Sequence, residues 1–162
     1  MKILSKTTLV ALAVVTLVLL VVALATEKWR VADLGMVKVS QGLWKKCGEQ
    51  DEVHKCQDTL EGESDEKKKY IKACRVLASL AVASLVAMAG IVLLSPRHKR
   101  LAVVLGVVCA LSAVLAFSLW VAKTGPEGLP DDSKPKIGYS AVLELVGGVC
   151  AVGASCLAAH VL

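Results

Sequence analysis

"QGLWKKCGEQDEVHKC", Gln41 to Cys56, sets two cysteines, a tryptophan and a cluster of charges inside a chain that is 56% hydrophobic. The surroundings decide how to read it. Thr7 to Thr26, Val76 to Pro96 and Leu101 to Ala122 carry no charged side chain, and Ile137 to Leu162 carries only Glu144 besides His160. Each run approaches the ~20 residues of helix that cross a hydrocarbon layer roughly 30 Å thick. Helices satisfy their own backbone polar groups in lipid. The expectation is therefore a single membrane domain with spans at about 7–26, 76–96, 101–122 and 137–161. Loops 27–75 and 123–136 fall on one side and the short loop 97–100 on the other. The first run, with "MKILSK" ahead of it and "ALA" at Ala23 to Ala25, also resembles a secretory signal, although its apolar core exceeds the roughly 7 to 15 residues usual there.

Sidedness is argued from Lys and Arg near span ends. Lys2 and Lys6 precede the first span, and Arg97, Lys99 and Arg100 crowd the second loop. The first loop holds eleven Lys and Arg against ten acids, but a long loop weighs little in this rule. Both termini are expected in the cytoplasm of a plasma-membrane protein. The net charge of +5 does not mark a nucleic-acid binder, because bases and acids interleave and no basic face with aromatic platforms forms.

Six cysteines are present, and Cys47 and Cys56 alone sit in an aqueous loop well away from a span. On an oxidising side of the membrane they would pair. Such a bridge closes a loop of about ten residues, for which the entropic model assigns roughly 2 to 3 kcal/mol. The other readings are two free thiols, or half of a zinc site with His54, which is short of four ligands. Cys74, Cys109, Cys150 and Cys156 fall within or beside spans, where cysteine packs as a small apolar residue.

Val37, Val39, Gln41 and Leu43 alternate with Lys38, Ser40, Gly42 and Trp44, a period-two pattern of strands. A second strand is expected through His54 to Leu60, cross-linked to the first around "GEQDE". Next, acids at Glu61 to Glu66 give way to bases at Lys67 to Lys72, which suits a short helix capped by Ser64 that feeds the second span. "KTGPEGLPDDSKPK", 123–136, reads as a solvated connector.

Trp29, then Gly42, Leu43 and Trp44, then Cys47 and Cys56, is similar to the signature of the claudin, peripheral myelin protein, epithelial membrane protein and lens fibre membrane protein superfamily. Arg75 at the head of the second span and "GYS" at Gly138 to Ser140 add to the resemblance. It implies a left-handed four-helix transmembrane bundle carrying a small extracellular antiparallel β-sheet. It also implies a structural protein working through contact with other membrane proteins rather than by catalysis. One departure is that the chain contains no Asn, so the N-linked glycan common in the myelin and epithelial branches has no attachment point.

Trp29 and Trp44 are expected where the sheet meets lipid. Leu34, Met36 and Val37 form an apolar patch in the first loop and are candidate contact residues, or else rest on the bundle. Gly147, Ala151, Ser155 and Ala159 make a small-residue ridge on the fourth span, and Ala102, Gly106 and Ala110 one on the third, for packing or for self-association. Glu144 is the ionisable residue deep in a span, expected as a hydrogen-bonded acid facing Ser112 or Ser118 unless it serves transport. Glu49, Asp51, Glu52 and Asp58 could favour cations in a pore, though Lys45, Lys46 and Lys55 offset them.

No Ser–His–Asp set, metal cluster or phosphate-binding glycine loop converges, so neither enzyme chemistry nor a cofactor is expected. The partners are the lipid bilayer and further copies or other membrane proteins. The leading expectation is a protein of cell–cell contacts. An auxiliary or trafficking subunit of another membrane protein is the alternative, followed by a channel or transporter.

Overall fold

The computed structural model describes residues 2–33, 37–50, 53–94, 98–123 and 136–161. Four long helices, α1 (Lys2–Ala25), α2 (Asp65–Leu94), α3 (Lys99–Lys123) and α4 (Tyr139–Val161), are joined by strands β1 (Arg30–Asp33), β2 (Val37–Gln41), β3 (Lys45–Gln50), β4 (Val53–Asp58) and β5 (Lys136–Ile137). All four helices are long and apolar enough to cross a membrane.

Side-chain volume in the bundle is distributed as lipid demands. The interior is small: Ala81, Ala102, Ala110, Ala113, Ala151, Ala154 and Ala158 are all buried, with Leu9, Leu20, Leu85 and Met88 filling the gaps. Branched residues such as Val14, Val18, Val104, Leu111, Leu115 and Val149 face outward. Hydrocarbon is as apolar as leucine, so helices gain by close packing of small residues rather than by hiding large ones.

At 30 residues, α2 is ~45 Å long, well over the hydrocarbon thickness. Its first turns therefore stand clear of the lipid as a post beside the sheet. Gly62, at φ 74°, turns the chain into it, and Ser64 occupies the cap, its carbonyl accepting from Lys68 N at 2.9 Å. Asp65 and Glu66 lie in the first turn, where the helix dipole favours acids. The expected short helix and second span are thus one continuous element.

The sheet runs β4-β3-β2-β1-β5, antiparallel throughout. Two features depart from the sequence reading. The alternation through Trp44 is broken, because Gly42 to Trp44 turns the chain between β2 and β3, with Gly42 N donating to Lys45 O at 2.8 Å. Gly42 is packed so tightly against the end of α1 that an added Cβ would lie 2.6 Å from Glu27 Cα. The second departure is β5. Lys136 and Ile137, read as connector and span, instead pair with Val31 and Arg30. Gly138 N then donates to Trp29 O at 2.9 Å and Ser140 N to Lys28 O at 3.1 Å, pinning the start of α4 to the end of α1.

Candidate functional site: the joint between sheet and bundle

Trp29 leaves α1 and turns inward. Its ring is fully buried, its Nε1 donates to Ala23 O at 2.6 Å, and it meets Trp120 of α3 edge to face at 5.4 Å. Leu43, Ile71, Cys74, Ala78, Ala116 and Ala141 complete an apolar plug beneath the sheet. Trp29, expected where the sheet meets lipid, is instead enclosed within the joint. The indole fills the joint because the first strand begins at the very next residue, which folds the sheet back over the helix end.

Arg75 locks the plug from the side. Its Nε donates to Leu43 O at 2.7 Å, and its Nη2 reaches Asp58 Oδ1 at 3.0 Å and Trp44 O at 3.4 Å. The guanidinium also lies over the Trp44 ring, 4.7 Å from the centroid, while that residue stays 43% exposed. Arginine suits this place because its planar fork holds several acceptors at once while stacking on an indole. Asp58 is in turn fixed by Leu60 N at 2.8 Å, and that bond together with Arg75 holds its carboxyl below the usual carboxylate range. Thr59, fully buried, donates to Gly42 O at 3.0 Å, and its amide donates to Trp44 O. One arginine and one threonine therefore satisfy all three carbonyls of the Gly42–Leu43–Trp44 turn.

Cys47 and Cys56 stand directly opposite each other on β3 and β4, with Cα atoms 4.2 Å apart, and are bonded. A carboxylate oxygen of Glu27 lies 2.8 Å from the Cys47 sulfur. Glu27 and the two cysteines bring their ligand atoms within 4.8 Å of one another, but sulfurs joined to each other offer no thiolate to a metal.

The other candidates separate. Leu34 and Met36 lie outside the described residues, as do Asp51 and Glu52, and Val37, Glu49 and His54 are described by backbone alone. Asp58 is tied to Arg75 rather than free to line a pore. Gly147 packs on Leu20, Ala151 is buried, and Ser155 fits against Gly106, so this part of the α4 ridge is taken up inside the bundle. Glu144 is fully buried, yet neither carboxyl oxygen has a hydrogen-bond partner among the described residues. Ser112 is buried without bonding it, and Ser118 is exposed.

Sequence reasoning gave no role to Trp120, Thr59 or Glu27. Trp120, an aromatic at the end of the third apolar run, was the one signal available. Thr59 and Glu27 act through contacts that no local pattern announces.

A four-helix membrane bundle with a disulfide-linked antiparallel sheet locked to one end defines the class: a multi-pass protein that holds a folded cap against the bilayer. The sequence profile of the PMP-22/EMP/MP20/Claudin family matches residues 3–157, and the chain belongs to that family. A comparison with curated proteins found no significant match.

Proposed function

We propose that this is a claudin-like structural protein of cell–cell contacts, in the plasma membrane with both termini cytoplasmic, and that the sheet is its extracellular contact surface. Family membership supports the reading. The observation that carries it is the joint: Arg75 and Trp29 fix the sheet to the bundle, and Thr59 braces the turn that Arg75 holds. A surface that must meet another protein gains affinity when it is ordered beforehand. The disulfide acts in the same direction. Lateral self-association belongs to this reading, but the buried stretch of the α4 ridge does not supply its surface.

Freeze-fracture of cells expressing the chain alone tests it. Membrane appositions or rows of particles between neighbouring cells are expected. An evenly dispersed particle population with no apposition would sink the contact reading and assign the chain to the auxiliary-subunit class instead.

A further inference from the structure

Between β1 and the outer ends of α2 and α3 lies a cavity of about 60 Å³, lined by Arg30, Glu63, Lys67, Tyr70, Leu119 and Lys123 among others. Its charges do not balance. Glu63 is its carboxylate, and it is engaged by Lys67 at 3.9 Å and by Lys46 at 3.6 Å. Lys123 is stacked on Tyr70, with Nζ 4.9 Å from the ring centroid. Arg30 has no carboxylate or hydrogen-bond partner for its side chain among the described residues, although burial already pushes its guanidinium below the usual value. A cation drawn partly out of water with nothing opposite it calls for an anion.

A cavity at this end of the apolar helix run falls where lipid headgroups would lie. Leu119 and Trp120 lie in the last turn of the apolar run of α3, which ends at Ala122, and Lys123 closes that helix. Below Leu119, at four-residue steps on the same face, Leu115 and Leu111 are 51% and 58% exposed. This stripe carries apolar surface from the cavity into the lipid layer. At roughly 10–15 Å³ per water, the cavity has room for about four to six waters, enough for a phosphate group.

We propose that this cavity takes the phosphodiester headgroup of a membrane phospholipid from the leaflet on the sheet's side, with an acyl chain lying along Leu119, Leu115 and Leu111. Arg30 supplies the paired donors that suit phosphate oxygens, and Lys123 and Lys67 add charge at the rim. The site does not depend on the contact function proposed above.

The test uses the full chain purified in a maltoside detergent, which carries no phosphate. Three additions are compared: phosphatidylcholine, a galactosyl diacylglycerol with the same acyl chains, and inorganic phosphate. The readouts are lipid retained in native mass spectrometry and the unfolding midpoint. Phosphatidylcholine is expected to be retained and to raise the midpoint, well ahead of the galactolipid. Arg30→Gln should weaken retention about tenfold or more, the loss of a charged hydrogen bond. Lys55→Gln, an equal charge change on β4, should behave as wild type. Equal retention of the galactolipid, or undiminished retention by Arg30→Gln, overturns the proposal. A full midpoint shift with inorganic phosphate alone assigns the cavity to free phosphate and overturns the lipid. If Arg30→Gln fails to fold, Lys123→Gln decides: weakened retention supports the site, and unchanged retention overturns it.

Discussion

Arg75 Nε donates to the carbonyl of Leu43, 32 positions earlier in the chain, at 2.7 Å. The same guanidinium spans Asp58 and the Trp44 ring, so one side chain ties β4, the turn before β3 and α2 together. Lysine keeps the charge but not the fork. Arg75→Lys is expected to lower stability by roughly 1.5–3 kcal/mol, the range for hydrogen bonds to charged groups, and Arg75→Ala by at least as much. Denaturant unfolding in detergent, followed by tryptophan fluorescence, measures it.

Asp58 makes the same joint sensitive to acid. Its carboxyl is held below its ordinary value of 3.8 by the Leu60 amide and by Arg75. A lowered folded value means that the stabilisation is complete above the unfolded value. It declines as the pH falls below about 3.8 and is gone once the pH has passed the lower folded value. The hydrogen-exchange protection of the Gly42–Trp44 turn, taken relative to the intrinsic amide rate at each pH, should fall over that window in the wild type. In Asp58→Asn the step should be absent.

The disulfide joins residues nine apart, and its removal by Cys47→Ser with Cys56→Ser is expected to cost roughly 2–3 kcal/mol. The loss should localise to β3 and β4 as faster proteolysis, with the helices still protected.

Two glycines are expected to refuse a methyl group. A Cβ on Gly138 would overlap Lys28 O, and one on Gly42 would sit 2.8 Å from Thr26 O; both obstacles are backbone and cannot swing away. Gly138→Ala and Gly42→Ala should each lose about 1–3 kcal/mol. Gly48 has open space around its Cβ direction, so Gly48→Ala serves as the neutral control in the same thermal measurement.

Glu144 buries two carboxyl oxygens with no partner among the described residues. Leaving a buried polar group unsatisfied costs about 1–3 kcal/mol, so Glu144→Met, close in shape, is expected to raise the unfolding midpoint. A lower midpoint would show that the buried carboxyl stabilises the bundle and overturn this prediction.

Much of this was legible from residue order because the signals are local. Uncharged runs of span length announced the helices, alternation around Val39 announced a strand, and the isolation of Cys47 and Cys56 from the spans pointed to their pairing. What escaped depends on distant partners. β5 is two residues long and exists because Arg30 and Val31 offer an edge, a pairing with no local pattern. The turn at Gly42 looks like one more alternating step until the end of α1 is seen pressing on it. Trp29 reads as an interfacial anchor by type, yet Trp120 on another helix draws it inside. Small residues at four-residue spacing mark a close approach without saying whether the neighbour is the same chain or another, and for Gly147 it is Leu20.

The pairing of Arg30 with Ile137 sets an order of assembly. The β3–β4 hairpin is contiguous, so its disulfide can close before the last helix has been made. The far edge of β1 must wait, unzipped, until the last helix is being threaded into the bilayer. Newly made chains should therefore pass through a stage with the sulfurs already joined and one strand border still open, a species a chaperone could grip.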